Sequence, residues 1–198
     1  MRARPTALLV DLDGVLRRWD PEVPARVEAA HDLPVGALEK TAMDWSRLLP
    51  VITGVVSHAE WMAGVAEALE APEAVAEWQE YCGDVDPDML EFVRDARAAG
   101  IPVAIATNAT DQLDAELDAL GLIGEVDAVV NSSEVGAHKP TKEFFAAACQ
   151  ALRRTPSQVL LVDDSDRFVR GARVIGLSAY RWNGPADLPY LRAALGLT

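Results

Sequence analysis

Four short stretches of this chain are wholly or almost wholly apolar, and each gives way abruptly to polar residues: ALLV at 7–10, PVAIA at 102–106, AVV at 128–130 and VLLV at 159–162. A fifth, SAYRW at 178–182, is less regular. A strand with one face in water alternates apolar and polar residues. Continuous runs of this length therefore belong to strands covered on both faces, as in a parallel sheet. Helix-like segments separate them. Residues 87–99 carry Met89, Leu90, Val93 and Ala96 at helical spacing and stop at Gly100; 110–120 stops at Gly121; 141–152 follows Pro140; 166–175 stops at Gly176. Glycine just past a helix suits the left-handed turn that ends it. Strand alternating with helix predicts an α/β fold with a doubly wound parallel sheet.

The rhythm breaks between Trp19 and Tyr81, where no strand is expected and four helices are: 23–30, 35–45, 57–69 and 72–81. Ser57 with Glu60, in SHAE, forms a capping-box pattern; Trp61, Val65 and Leu69 then share a face, and Pro72 suits a first helical position. The expected organisation is an α/β core of residues 1–18 and 84–198, with a small all-helical unit of residues 19–83 inserted after the first strand. Ligand sites in such sheets lie at the carboxyl ends of the strands, so the insert would hang over one.

Charge narrows the partners. The chain has 31 acidic and 18 basic residues, a net charge of −13, which argues against binding nucleic acid or an anionic membrane through its overall field. Cys82 and Cys149 form neither a metal spacing nor a disulfide framework and are expected as small buried thiols. The opening MRARPTALLVD breaks its apolar run at Asp11, too early for a signal peptide. No segment approaches the roughly 20 apolar residues of a membrane span. A cytoplasmic protein is expected.

Four polar groups end the predicted strands or follow them closely: Asp11, Asp13 and Gly14; Thr107 and Asn108; Lys139, in GAHKP; and Asp163 with Asp164. Parallel strands bring all of these to one edge of the sheet. Together they suit phosphoryl transfer, which needs positioning and charge stabilisation more than covalent machinery. Carboxylates from two strands suit a hard cation such as Mg2+, which takes oxygen ligands and keeps several waters. A carboxylate beside that cation can attack phosphorus and become an aspartyl phosphate. A second, just beyond it, can protonate the leaving oxygen and then activate water. The Thr107 hydroxyl and backbone N–H can bind a nonbridging phosphate oxygen, and Lys139 can neutralise phosphoryl charge. Gly14 lets the chain turn sharply. Taken singly, each has an ordinary reading as a strand end, a turn, a solvated lysine or a helix-dipole pair; the combination favours a site.

DLDGVL at 11–16, Thr107, Lys139 and VDD at 162–164 resemble, in order and placement, the four motifs of the haloacid dehalogenase superfamily, and the resemblance spans essentially the whole chain. The helical insert resembles that superfamily's cap. The resemblance implies a Rossmann-like core and a role for each residue. Asp11 would be nucleophile and metal ligand. Asp13 would be general acid/base and offer its backbone carbonyl to magnesium. Asp164 would be the direct carboxylate ligand, with Asp163 holding Lys139 or a metal-bound water, or the two exchanged. Asn108 would line the phosphate or substrate pocket. Members that break carbon–halogen bonds typically lack the second acid, so Asp13 favours phosphate chemistry. One departure stands out: the fourth motif often has Asn or Asp four residues after its metal-binding aspartate, and here that residue is Phe168. One usual support of the metal loop is therefore replaced.

The implied activity is a magnesium-dependent phosphohydrolase acting on a small phosphorylated metabolite. A phosphomutase of the same fold and a catalytically silent phosphate-binding or interaction protein are the alternatives. Outside the motifs, Trp45, Trp61 and Trp78 are expected to pack the insert. His31 and His58 are expected on its helices, His138 in a surface loop, and Arg17, Arg18 and Arg47 in solvent.

Overall fold

Every side chain of the first strand, β1 (Ala7–Val10), is fully buried, because the strand occupies the middle of a five-stranded parallel sheet. The structure is a computed structural model and describes residues 4–197. After β1 come a two-residue strand β2 (Arg17–Arg18), helices α1 (Glu22–Ala30), α2 (Ala37–Ala42), α3 (Trp45–Ile52), α4 (His58–Leu69) and α5 (Pro72–Trp78), and a second short strand β3 (Asp84–Val85). The chain then alternates through α6 (Pro87–Ala98), β4 (Val103–Thr107), α7 (Leu113–Ala119), β5 (Ala128–Asn131), α8 (Ser132–Val135), α9 (Lys142–Ala151), β6 (Val159–Asp163), α10 (Asp166–Ile175), β7 (Ser178–Arg181) and α11 (Leu188–Leu195). The sheet order is β5-β4-β1-β6-β7, as a doubly wound α/β fold requires.

The apolar runs have a direct cause. Leu8, Val10, Ile105, Leu160 and Val162 meet Met89, Phe92 and Val93 of α6, Leu117 of α7 and Leu191 of α11 on one face. Ala7, Leu9, Ala104, Ala106 and Leu161 meet Phe144, Phe145 and Ala148 of α9 and Ala172 of α10 on the other. Successive residues of a strand point to opposite faces, and here both are covered. Each fully buried Leu or Phe contributes roughly 1.5–3 kcal/mol. From β1 the chain winds outward through β4 to β5, then returns to β6 on the other side of β1 and out to β7. The winding direction reverses between β1 and β6, and such a reversal opens a crevice beyond the strands' carboxyl ends.

Helices α1 to α5 surround a cluster of their own, including Val27, Leu38, Met62, Val65 and Val75. Strands β2 and β3 pair antiparallel and form the stem of this insert. The capping box forms as expected: Ser57 Oγ accepts the Glu60 N–H at 3.2 Å and the Glu60 carboxylate accepts the Ser57 N–H at 2.8 Å. A second cap joins two helices. The buried Glu28 carboxylate of α1 accepts the N–H groups of Gly36 (2.7 Å) and Leu38 (2.9 Å) at the start of α2.

Some elements differ from expectation. The helix expected over 35–45 ends at Ala42, and an unexpected helix, α3, follows: Asp44 accepts the Ser46 N–H at 3.0 Å and caps it, and it runs through Pro50. Helix α7 starts at Leu113 rather than 110, since Thr110 Oγ1 first closes a turn by accepting the Gln112 N–H. The helix expected to reach Tyr81 ends at Trp78. The Tyr81 hydroxyl instead donates to Asp84 at 2.5 Å and accepts the Asp20 N–H at 3.2 Å, bracing the stem. Both cysteines are free, Cys149 buried and Cys82 half-buried. Among the described residues no helix is long and apolar enough to cross a membrane.

Glu28→Ala removes a charged acceptor from two backbone donors. Urea denaturation is expected to show a loss of about 1.5–3 kcal/mol; an unchanged midpoint would remove Glu28 from the framework of the insert.

Candidate active site

The Lys139 side chain is 1 % exposed, and its ammonium lies 2.7 Å from Asp11 Oδ1 and 2.7 Å from Asp163 Oδ2. Asp11 directly follows β1 and Asp163 ends β6, so the neighbouring strands at the winding reversal deliver both carboxylates. Backbone donors fix each one: Leu12 N–H donates to Asp11 Oδ1 at 2.8 Å and Ser165 N–H to Asp163 Oδ1 at 2.9 Å. Lys139 reaches them from the loop between α8 and α9. Asn108, one residue past β4, fastens that loop by accepting the Lys139 N–H at 2.7 Å and donating to the Lys139 carbonyl at 3.2 Å.

Burial works against the Lys139 charge, but the two carboxylates outweigh it and its pKa is raised. Burial also pushes the Asp11 carboxyl well above the ordinary range; Lys139 opposes this, and Asp163 and Asp13 add to it. The Asp164 carboxyl is raised too, by burial and then by Asp163. One ammonium does not neutralise this group of acids. Asp11, Asp163 and Asp164 each bring a carboxylate oxygen within 4.8 Å of the others. An anionic, all-oxygen set of this kind fits a hard divalent cation. Gly14 makes room for the Asp164 carboxylate of that set: its φ is +77°, and a Cβ there would overlap Asp164 Oδ2.

Asp13, near enough to raise the Asp11 and Asp164 carboxyls, is held from the side of the stem. Its Oδ1 accepts from Arg17 Nε at 2.8 Å and from Trp19 Nε1 at 2.6 Å. Arg17 is not in solvent as expected but 3 % exposed, because it also pairs with Glu116 of α7 at 2.6 Å and lies 4.5 Å from the Trp19 ring centroid. Nothing in the charged pair Arg17–Arg18 signals that burial. Thr107 is buried at the end of β4, in register with Asn131 of β5. The structure thus gathers Asp11, Lys139, Asp163, Asp164 and Asn108, sets Asp13 against Arg17 and Trp19, and leaves Thr107 at the adjoining strand end.

Other side chains join insert to core. His58 Nδ1 lies 3.2 Å from Thr110 Oγ1, and the His58 backbone N–H donates to Asp111 Oδ1 at 2.7 Å. Trp61 and Trp78 pack within the insert as expected, but Trp45 is 47 % exposed and sits edge-on to His138 at 5.3 Å. His138 in turn contacts the Lys139 carbonyl at 2.7 Å, so it is more than a surface-loop residue. Arg47 is half-buried and donates to the Gly64 carbonyl at 3.1 Å, whereas Arg18 stays exposed, 3.4 Å from Asp86.

Residues 5–176 match the family described as haloacid dehalogenase-like hydrolase. The chain is similar to the ribulose-1,5-bisphosphate 5-phosphatase of Halopiger xanaduensis, 33 % identical over 106 residues, which is 52 % of this chain and 44 % of that protein. A Mycobacterium tuberculosis protein named as a phosphatase is 27 % identical over 186 residues, covering 88 % of this chain and 86 % of that one. The fold is similar to that of a HAD family enzyme of Bacteroides thetaiotaomicron, solved in complex with magnesium and inorganic phosphate: TM-score 0.78, 21 % identity, 94 % of this chain and 98 % of that one.

Lys139→Met strands two buried carboxylates without their cation. In metal-free buffer, guanidinium denaturation is expected to show a loss of about 3–5 kcal/mol; wild-type stability would mean that the lysine does not hold them.

Proposed function

Because the chain belongs to the haloacid dehalogenase-like hydrolase family, we propose that it is a magnesium-dependent phosphohydrolase that cleaves a small phosphorylated metabolite through an aspartyl phosphate. The observation that carries this reading is the buried Asp11, gripped by Lys139 and flanked by Asp163 and Asp164 at the winding reversal of the sheet.

In the proposed reaction an Asp11 carboxylate oxygen bonds to phosphorus while the bond from phosphorus to the leaving alkoxide breaks, and Asp13 gives that alkoxide a proton. Water then attacks the aspartyl phosphate and yields a proton to Asp13; phosphate leaves and the Asp11 carboxylate is restored. Lys139 balances negative charge on Asp11 and the phosphoryl group, and the Thr107 hydroxyl holds a nonbridging oxygen. Asp11, the Asp13 carbonyl and Asp164 would hold magnesium, which when bound supplies further charge neutralisation to the phosphoryl oxygens. Asp163 already gives one oxygen to Lys139 and the other to the Ser165 N–H, which favours Asp164 as the direct ligand. Asn108, engaged with the Lys139 peptide, acts through the lysine. The insert, residues 19–83, serves as a cap on the core of residues 1–18 and 84–198, closing over the substrate to exclude water. Its His58 meets Thr110 and Asp111, close in sequence to Thr107 and Asn108.

Asp11→Asn is expected to abolish phosphate release from p-nitrophenyl phosphate with magnesium present, and Asp13→Asn to slow it about 10²- to 10⁴-fold. Full activity of Asp11→Asn would overturn the mechanism. A panel of phosphorylated metabolites then identifies the substrate, with isomer formed in place of free phosphate marking a mutase.

Magnesium at about 100 times its dissociation constant is expected to stabilise the protein by about 2.7 kcal/mol. Asp164→Ala should remove most of that gain. A thermal shift that survives in this variant would place the ion elsewhere.

A further inference from the structure

Helix α10 begins three residues after Asp163, and one of its faces is turned to the Lys139 loop. The Lys139 ammonium lies over the Phe168 ring, 5.0 Å from its centroid. Three residues along, Gly171 packs against Pro140, the residue that follows Lys139. A Cβ at Gly171 would overlap Pro140 Cβ and come within 3.3 Å of the Pro140 carbonyl oxygen. Residues three apart share a helix face. One face of α10 therefore meets the lysine at its charged tip and the loop at the backbone beside it.

The physical setting makes the ring contact consequential. A lysine ammonium has three N–H donors, and here Asp11 and Asp163 each receive one contact at 2.7 Å. The side chain is buried, so little water competes. The negative face of an aromatic ring attracts a cation, and more strongly when the pair is out of water. The ring also adds this attraction without adding another anion beside Asp11, Asp163 and Asp164, where carboxylates already crowd. A short acid or amide at 168 would bring an oxygen in place of the ring.

We propose that Phe168 and Gly171 are positioning residues for Lys139: the Phe168 ring holds the ammonium between Asp11 and Asp163, and Gly171 lets the Pro140 backbone seat closely enough for it to arrive there. Phe168, the departure from the fourth motif, thus acts on the lysine. The kinetic consequence rests on the phosphohydrolase reading; the placement of the lysine does not.

The test compares Phe168→Leu, which keeps an apolar side chain but loses the π face, with Phe168→Tyr, which keeps the face. In metal-free protein the Lys139 side-chain resonances, assigned by their loss in Lys139→Met, are expected to be shifted upfield by the ring in wild type and Phe168→Tyr, and to lose that shift in Phe168→Leu. With magnesium and p-nitrophenyl phosphate, kcat is expected to fall about 2- to 30-fold in Phe168→Leu and to be restored in Phe168→Tyr. Gly171→Ala is expected to move the same resonances with the ring intact. Lys139 resonances that are identical in wild type and Phe168→Leu would overturn the proposal, whatever happens to kcat. If the wild-type protein releases no phosphate from any ester, the proposed function fails while the resonances still decide the role of Phe168.

Discussion

One ammonium buried between two carboxylates sets the terms for the whole sheet edge. Removing three charges from water costs several kcal/mol each, and their attraction recovers that only when all are held in place. The fold holds them from three separate segments. Strands β1 and β6 pair in register, Val10 beside Val162, so Asp11 and Asp163 follow as neighbours. Strand β4, on the other side of β1, supplies Asn108, which ties down the peptide of Lys139. The order β4-β1-β6 is therefore as much a part of the charge cluster as the side chains themselves. Well-packed apolar residues in the same volume would serve stability equally or better, so the triad is explained by what it presents at the edge.

The insert is attached by different physics. Its interior is apolar, but polar and aromatic side chains join it to the core: His58 with Thr110 and Asp111, Trp45 with His138, and the Arg17 stem residue with Asp13 and Glu116. Polar interfaces between units of one chain permit relative motion far more readily than an apolar seam. Two separately packed clusters joined this way suit the proposed cap, whose movement would leave both interiors intact. Arg17 links the two, since it lies in the two-residue strand of the stem and also grips an acid of the core loop.

Much of this was legible in the sequence, and the reasons are physical. The central strands β1, β4 and β6 announced themselves because both faces are covered, which puts apolar residues at nearly every position; β7, only partly buried at the sheet's edge, was less regular. The order of Asp11, Asp13, Thr107, Lys139 and the Asp163–Asp164 pair was readable because parallel strands all end at one edge. The stem strands were not, because two-residue pairs built on Arg17, Arg18 and Asp84 carry no hydrophobic period. Pro50 disguised α3, although Asp44 two residues before Ser46 was a usable capping signal. The apolar spacing of Leu188, Leu191 and Leu195 in α11 was equally available. Burial of Arg17 and the contact between Phe168 and Lys139 depend on residues up to 99 positions distant, such as Glu116. No local pattern encodes them.

Asp11 and Asp13 are the same residue type two positions apart, yet the fold gives them opposite surroundings. Asp11 is 5 % exposed, boxed in by Lys139 and a backbone N–H. The Asp13 side chain is 40 % exposed and held by donors from the stem of the insert. A proposed nucleophile gains from a dry, fixed position, where its charge is poorly solvated and its attack geometry is set before substrate arrives. A proposed proton carrier needs the reverse: reach toward a leaving oxygen, access to water, and freedom to take and lose a proton in successive steps. The turn at Gly14 begins just beyond the second acid, and it carries the chain from the dry edge of the sheet to the stem within a few residues. In the proposed reaction, environment, more than chemistry of the side chain, divides the labour between the two aspartates.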